Sequence, residues 1–349
     1  MADATTSFTA SVGYTGMAAL GGDVSGDNVS GATILLATGG SFSQNHQPIF
    51  SSGVWGAGYY NAAEQVAYSN NYIRIEGSVS VEYAKGGIFT ALEKFAFSER
   101  GKPEGTLIQI YPTGKNGFRG YGWCSSLSFS NSQDANMTGD FNFQSYVNGD
   151  TNKVLTGEID TSQWNSANSL YKVGTSEGTL PMGYNDLYPY WNGSLYAKSS
   201  TGNGYSPISN VMDWSASYSS TLEMLKCCGP GNAYKNPDKS PTPLAPDYVA
   251  LGSMTAECSM TVFKLLTSGL NSFDPKSFHN QKGLKIEVLP SSSTGSSKSG
   301  LGTILLPIIV CSTNSTSITT GASWVSAQFQ YTAIGDGAQP PMALSYSGN

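Results

Sequence analysis

An internal repeat constrains the fold of this chain more than any other feature of its sequence. Residues 143–150 and 329–336 share Phe, Gln, Gly and Asp at four of eight positions, at an offset of 186 residues. Two further segment pairs follow the same order, with offsets of 178 and 181 residues: 107–112 with 285–290, each ending in proline, and 76–81 with 257–262. Three matches in one order, with offsets that drift by a few residues, predict an ancient duplication. We therefore expect two copies of one fold within the 349 residues.

The composition favours a β-rich protein whose surface contacts copies of itself. Only 12% of the residues are charged, about half of the ~25% usual for soluble proteins. The chain is rich in Ser, Thr and Asn and contains 41 Gly and 20 Tyr, a composition typical of strands, turns and protein interfaces. The net charge is −6 and no basic run is present. This argues against a nucleic-acid-binding surface, which depends on clustered Lys and Arg.

Alternation of apolar and polar residues predicts antiparallel strands in both halves of the chain. In the first half, the predicted strands are 32–37 with a continuation over 41–50, then 73–83, 106–111, 120–130 and 136–147. In the second half, they are 211–225, 251–266, 284–289, 301–312 and 322–334.

One helix is predicted in each half. Residues 88–98 have helical spacing of apolar side chains, so we expect Phe89, Leu92 and Phe95 to pack this helix onto a sheet. In the second half, an N-cap signal and a proline in the first turn predict a helix over 274–280.

These elements together predict a mainly β fold: two tandem antiparallel β-sandwiches or half-barrels, each with one short helix. Residues 1–31 are interpreted as an arm or loop, and 148–205 as a connector that contains no long periodic segment. The boundary between the copies is placed near residue 185. The predicted domains are therefore 1–185, which includes the arm and part of the connector, and 186–349.

Two long irregular loops interrupt the predicted strands, and loops of this length usually have a function. The first spans 51–71 and is aromatic; the second spans 229–248 and is rich in proline. Their candidate contact residues are Trp55, Tyr59, Tyr60 and Tyr68 in the first loop, and Tyr234, Pro237 and Pro243 in the second.

Candidate catalytic and metal-binding residues do not form a recognisable site. Residues 174–178 spell G-x-S-x-G, but no amphipathic helix follows, and His46 and His279 are the only histidines. Two histidines and scattered cysteines do not supply a zinc site. Glu158 with Asp160, and Asp134 with Asp140, are candidates for a hard cation or a carboxylate pair, but nothing fixes their separation, and we interpret them as solvated loop carboxylates. We predict that the chain is not an enzyme and takes no cofactor.

Cysteine usage and apolar runs bear on the compartment. Five cysteines without a Cys-x-x-Cys spacing predict reduced thiols in a protein assembled in a cytoplasm. The first residues lack the basic and apolar segments of a signal peptide. The most apolar run, 304–311, is far shorter than the ~20 residues of a membrane span, so no span is predicted.

The run 122–129, followed by 140–143, lies within an order of strand, long loop, strand, helix and three strands. This arrangement resembles the tail tube (major tail) proteins of tailed bacteriophages, a family related to the tube proteins of contractile injection systems. The resemblance implies domains that are β-sandwiches or half-barrels with a helix, six to a ring, with inner sheets joined around a lumen. For a duplicated subunit it implies three chains per ring, and it assigns 51–71 and 229–248 to stacking on the adjacent ring.

The resemblance also implies the function and the partners. The chain would be a structural virion protein of the tail, assembled in the host cytoplasm into homotrimeric rings with pseudo-six-fold symmetry. The rings would stack into a tube, contact other tail proteins, and let DNA pass without specific binding. Because such a wall must not bind phosphate, we expect mostly Ser, Thr, Asn, Gln and acidic side chains on the lumenal faces of strands 73–83, 136–147, 255–265 and 322–334.

Two alternatives remain open at this point. One is another self-assembling virion component, such as a decoration or tail-completion protein. The other is a carbohydrate-binding β-sandwich adhesin, in which clustered aromatic residues would stack on sugar rings: Trp164, Tyr171, Tyr184, Tyr188, Tyr190, Trp191 and Tyr196. The repeat and the lack of a secretion signal favour assembly over adhesion.

Overall fold

The protein is mainly β, and its sheets are antiparallel, as predicted from the sequence. The computed structural model describes residues 17–21, 23–25, 28–30, 33–45, 49–50, 66–67, 74–85, 88–98, 100, 106–113, 116–146, 154–158, 187–198, 204–225, 248–265, 282–293, 299–318, 324–335, 337 and 339–347.

The first half contains eleven described strands and one helical segment. The strands are β1 (Met17–Leu20), β2 (Asp23–Ser25), β3 (Asn28–Ser30), β4 (Thr33–Asn45), β5 (Ile49–Phe50), β6 (Val66–Ala67), β7 (Arg74–Glu82), β8 (Thr106–Thr113), β9 (Asn116–Ser132), β10 (Thr138–Tyr146) and β11 (Val154–Glu158). Helix α1 (Ile88–Glu93) continues as one stretch of π-helix (Lys94–Ser98).

The second half contains nine described strands after a short 3-10 helix (Tyr190–Asn192). The strands are β12 (Gly193–Lys198), β13 (Tyr205–Ile208), β14 (Val211–Leu225), β15 (Tyr248–Leu265), β16 (Gly283–Val288), β17 (Leu301–Leu306), β18 (Ile308–Ile318), β19 (Trp324–Ile334) and β20 (Ala343–Ser347).

Eight strands form one continuous antiparallel run, which we call the long sheet. Its order is β4, β7, β10, β9, β14, β15, β19 and β18. The first four strands come from the first half of the chain and the last four from the second half. In this sheet the two halves meet where the end of β9 pairs with β14. Outside it, the isolated bridges Ala84–Leu187 and Asn136–Pro189 also join them.

The strand pairings of the first half recur in the second half. The beginning of β4 pairs with β1, and the remainder of β4 pairs with β7. In the second half, β13 pairs with β12, and β14, which follows β13, pairs with β15. β10 joins β7 to the end of β9, as β19 joins β15 to β18. In the first half, the beginning of β9 pairs with β8 on one side and β11 on the other, and β8 also pairs with β1. In the second half, β17 likewise pairs with β16 and β20, and β16 also pairs with β12. Strand β4 thus corresponds to β13 followed by β14, which a break at Asn210 separates. Strand β9 corresponds to β17 followed by β18, which a break at Pro307 separates.

Two pairs of β-bulges fix which residues are equivalent. The register skips Thr38 of β4 against β7, and it skips Met212 of β14 against β15. It also skips Ser125 of β9 against β10, and Ser312 of β18 against β19. In both halves the thiol of the cysteine before the second bulge donates to the carbonyl oxygen two residues further on, with a sulfur–oxygen distance of 3.6 Å. Bulges carry an extra residue at a defined place, so Thr38 corresponds to Met212 and Ser125 to Ser312.

Helix α1 and its π-helical extension lie in the core. Phe89, Leu92 and Phe95 are at most 1% exposed. The ring of Phe89 stacks on Phe129 of the long sheet, with 6.0 Å between ring centroids, and meets the edge of Tyr188 at 5.7 Å. The outer sheet, in the order β13, β12, β16, β17 and β20, contributes to the same apolar cluster. The helical segment is therefore packed between the two sheets.

The residues that end the helical segment connect the two halves. The Tyr218 hydroxyl of β14 donates to the Ala96 carbonyl oxygen at 3.2 Å, and the Phe97 ring packs against the Tyr218 ring at 4.8 Å. The buried Arg100 donates from Nη2 to the Gly252 carbonyl oxygen of β15 at 3.0 Å. The joint between β9 and β14 is thus supported from the core side.

Several predicted boundaries were wrong. Residues 17–20 were interpreted as part of an arm, yet β1 lies between β4 and β8 in a sheet. The connector contains β11, β12 and, at its end, the start of β13, and β20 was not predicted. These strands have at most six residues, too few for alternation to identify them. The strand predicted over 301–312 is two strands, because Pro307 lacks the N–H that a continuous ladder needs.

Candidate assembly surface

One face of the long sheet is polar across its strands, and we call it the polar face. Buried apolar residues alternate with polar ones along the strands, as in β19, where every second residue is buried. In the four strands with a predicted polar face, the side chains between the buried positions are Glu76, Ser78, Ser80 and Glu82; Thr138, Asp140, Asn142 and Gln144; Thr255, Glu257, Ser259 and Thr261; and Ser326, Gln328, Gln330 and Thr332. None of these is basic.

The same pattern continues on the other strands. Ser41 and Ser43 of β4, alternate serines of β9 and β14, and Ser315 of β18 lie on the polar face. Apolar residues also lie on this face near the strand ends: Ile308, Val310 and Ile334, which are 38%, 53% and 49% exposed, Trp324 at the start of β19, and the half-buried Phe263 opposite Ser326.

Hydroxyl groups on the polar face bond to one another across neighbouring strands. Three oxygen–oxygen contacts are short: Ser41 with Ser78 at 2.8 Å, Ser215 with Ser259 at 2.7 Å, and Ser219 with Thr255 at 2.7 Å. The Asp140 carboxylate accepts a hydrogen bond from Ser80 Oγ at 2.5 Å, and the Asp140 N–H donates to Ser128 Oγ at 2.9 Å. Asp140 is therefore held by serines of the two neighbouring strands, β7 and β9.

The long sheet ends in two edges that no described strand covers. β18 pairs with β19 on one side only, and β4 beyond its bulge pairs with β7 on one side only. Residues 312–317 of β18 are exposed on both faces. Neither 308–318 nor 39–45 contains a charged residue or a proline. Charges and prolines are the usual means of protecting an edge strand from a partner, so both edges remain competent to pair.

Two cysteines of the core hold their protons strongly. Burial raises the pKa of Cys258 to about 12, from an ordinary value of 9.0. Burial likewise raises the pKa of Cys124, which is also fully buried. Burial, and to a lesser degree the nearby Asp140 carboxylate, raises the pKa of the Tyr83 phenol. These groups are thus neutral components of the core.

The raised pKa of Cys258 predicts a loss of stability at alkaline pH. In the unfolded chain this thiol ionises near pH 9.0, whereas in the folded chain it stays protonated up to about pH 12. Its contribution is therefore complete below pH 9 and is lost as the pH rises toward 12. Urea midpoints at pH 8, 9, 10 and 11 should fall progressively, and less so in Cys258→Ala than in the native chain. A midpoint that stays constant to pH 11 would contradict this expectation.

The sequence-predicted contact residues of the two long loops lie outside the described residues: Trp55, Tyr59, Tyr60, Tyr68, Tyr234, Pro237 and Pro243. The G-x-S-x-G segment, both histidines and the predicted helix 274–280 lie outside them as well. Within the described ranges, no group of three or more His, Cys, Asp or Glu side chains is placed to hold a metal ion.

The aromatic stretch considered for sugar stacking is only partly described. Tyr188 is fully buried, and its hydroxyl donates to the Gly300 carbonyl oxygen at 2.7 Å. Tyr190 donates to the Val211 carbonyl oxygen at 3.0 Å, while Trp191 is 64% exposed. Tyr188 is therefore a core residue, and no stacking platform is formed by these three side chains.

Sequence reasoning did not identify which strands form the two uncovered edges. The available signal was the uncharged run Ser312–Ser317, which begins at the last residue of the predicted strand 301–312. It indicates an edge only once the neighbouring strands are known, because strand pairing is not local in sequence.

Among the helices of the described residues, none is long and apolar enough to cross a membrane.

No protein-family model and no curated protein matches the sequence. Solved structures that this chain matches in part include the tail of an empty gene transfer agent particle with C6 symmetry, at 9% identity and a TM-score of 0.26, and the virion of the native gene transfer agent particle, at 10% identity and a TM-score of 0.25. In each, 45% of this chain covers 97% of the compared chain. The SPP1 tail tube is similar over 45% of this chain and 78% of its own, at 10% identity and a TM-score of 0.23.

Proposed function

We propose that this chain is a structural virion protein whose copies form stacked rings, and that these rings build a tail tube through which DNA reaches the host. One observation carries the proposal. The long sheet presents a face of small hydroxyl, amide and acidic side chains, while its other face forms the core. A sheet of this kind is suited to the wall of an aqueous channel.

The chemistry of the polar face fits the passage of DNA. Each Lys or Arg on a channel wall would add a phosphate contact and retard the duplex, because phosphate contacts supply most of the nonspecific affinity for DNA. The sixteen polar side chains named above for β7, β10, β15 and β19 include four carboxylates and no cation. Such a face repels phosphate weakly and keeps the duplex hydrated.

The repeated strand pairings support a duplicated subunit with domains 1–185 and 186–349. Three such chains would form a ring with pseudo-six-fold symmetry. The protein would assemble in the host cytoplasm, reside in the virion tail, contact other tail proteins and have no catalytic role or cofactor.

Loops 51–71 and 229–248 are proposed to contact the adjacent ring. Aromatic and proline side chains are effective there because they bury large areas at a low entropic cost. The proposed contact residues are those predicted from the sequence: Trp55, Tyr59, Tyr60 and Tyr68 in the first loop, and Tyr234, Pro237 and Pro243 in the second.

Electron microscopy of the purified chain tests this proposal. The native chain should form tubes, whereas chains that lack 54–68 or 231–245 should fold, form rings and fail to stack. Circular dichroism and thermal melting of both deletions supply the control for folding.

Tubes of normal length in both deletions would refute the stacking role. Discrete monomers of the native chain at high concentration would refute the tube function and favour the adhesin alternative. Closed assemblies other than tubes would favour a decoration or tail-completion protein.

A further inference from the structure

We propose that β18 of one copy pairs antiparallel with residues 39–45 of β4 in a second copy, and that this contact repeats the joint between β9 and β14 within the chain. The inference rests on the proposed self-assembly but specifies the partner strand and its register. It follows from the equivalences already fixed by the bulges: β18 occupies the place of β9, and β4 the place of β14.

The register follows directly. Within the chain, Ser128 pairs with Ser217. Ser128 lies three residues after the bulge at Ser125, and its equivalent Ser315 lies three residues after the bulge at Ser312. Ser217 lies five residues after the bulge at Met212, and its equivalent Ser43 lies five residues after the bulge at Thr38. Ser315 of one copy is therefore opposite Ser43 of the next. By the same count, the internal pair Ser130 and Ser215 corresponds to Ser317 opposite Ser41.

The side chains at the two joints match. The four positions of the internal joint are serines, and so are the four positions at the two uncovered edges: Ser41, Ser43, Ser315 and Ser317. All four edge serines are exposed. Small hydroxyl side chains permit close approach and bond across antiparallel strands. The chain thus repeats at its free edges the chemistry of a joint that it already forms.

The two joints differ in their apolar support. On the core side of the internal joint β9 places Leu127 and Phe129, which are buried, whereas β18 places the exposed Asn314 and Thr316 at the equivalent positions. β18 therefore offers less apolar surface to the joint between copies than β9 offers to the internal joint. This suits subunits that fold separately and then assemble.

The contact is heterologous, since each copy offers one β4 edge and one β18 edge. Heterologous contacts form rings when the rotation closes. Both edges of every copy are then covered.

Paired cysteines test the register. In a background with Cys227, Cys228 and Cys311 replaced by serine, Ser43→Cys with Ser315→Cys should give covalent dimers and higher multimers after mild oxidation, resolved on a non-reducing gel. Ser128→Cys with Ser217→Cys is the matched internal pair and should cross-link without an increase in mass. Ser41→Cys with Thr313→Cys is the mismatched control. Its two positions are shifted by four residues relative to the proposed register, about 13 Å along a strand.

Peptide mass spectrometry must identify the bond between positions 43 and 315. Mixing the two single variants should give dimers only, which separates bonds between copies from bonds within one copy. Tubes without this cross-link, or with equal cross-linking of the mismatched pair, would overturn the register but leave the tube function standing. Cross-linked rings that never form tubes would support the register and refute the tube. Monomers without any cross-link would refute both.

Discussion

Replacing Phe89 with alanine is expected to lower the free energy of unfolding by about 3–5 kcal/mol, the range for deleting a fully buried aromatic side chain. Phe89 is completely buried and packs against Tyr83 and Phe129 of the first half and Tyr188 beside the outer sheet. A Cβ placed on Gly302 of β17 would overlap the Phe89 ring, so the ring closely abuts the backbone of the outer sheet. Its removal would leave a cavity between the two sheets.

Urea denaturation of the unassembled subunit, monitored by tryptophan fluorescence, measures the loss. Thr90→Ala supplies the control within the same helix, because Thr90 is exposed. That control should stay within about 0.5 kcal/mol of the native chain, as is usual for surface substitutions. Equal destabilisation by the two variants would mean that the loss does not come from the packing of the Phe89 ring, because alanine has a higher helix propensity than either residue.

Where the periodicity of the sequence was long, it located the elements well. The strand predicted over 211–225 has the observed bounds, and the helix predicted over 88–98 spans α1 and its π-helical extension. The sequence match between 76–81 and 257–262 is also a structural equivalence. Ser80 and Val81 of β7 face the bulge at Thr38, and the residues 181 positions later, Thr261 and Val262 of β15, face the bulge at Met212. Long amphipathic segments carry their signal locally, so the sequence alone is sufficient.

The repeat at the C-terminal end of the alignment shows what sequence similarity misses. Sequence similarity aligns Phe143 with Phe329. In the structure, Phe143 pairs with Gly77 of β7. The equivalent of Gly77 on β15 is Cys258, and Cys258 pairs with Tyr331. The true counterpart is therefore two residues further on. A shift of two residues keeps every side chain on the same face of the sheet, so the hydrophobic pattern cannot detect it. Only the register of the neighbouring strands resolves it.

The polar face was predicted from the function of the resembled family, and the alternation in the strands agrees with it. Which strands form the edges could not be predicted in this way. Whether a strand is central or at an edge depends on pairings between residues far apart in the chain, such as β9 with β14, and no local pattern encodes them. The stacking loops stay a prediction, since their contact residues lie outside the described part of the chain.

Lysines placed on the polar face are expected to convert the tube from a neutral conduit into a DNA-binding one. Ser217 and Gln328 are exposed on this face and lie on different strands, and they are not cross-strand neighbours. Ser217→Lys with Gln328→Lys therefore adds two cations per chain without placing the two lysines opposite each other. With three chains per ring, each ring would gain six. Six phosphate contacts reduce affinity by about 10³-fold or more between 50 and 200 mM salt. Tubes of the double variant should therefore bind a short duplex tightly at low salt and lose it steeply as salt rises.

Anisotropy of a labelled duplex across a salt series measures the binding, and nuclease treatment reports where the duplex lies. Duplex bound inside a tube is shielded from nuclease. Ser194→Lys with Ser345→Lys adds the same charge to exposed positions of the outer sheet, so its bound duplex should remain sensitive to nuclease. The single variant Ser217→Gln, which keeps the native Gln328, controls for side-chain size, and its tubes should not bind the duplex. If the polar-face lysines bound duplex that nuclease digests as readily as in the outer-sheet variant, the polar face would not line the lumen. The absence of basic residues from the sixteen polar positions named for β7, β10, β15 and β19 would then require another cause than the passage of DNA.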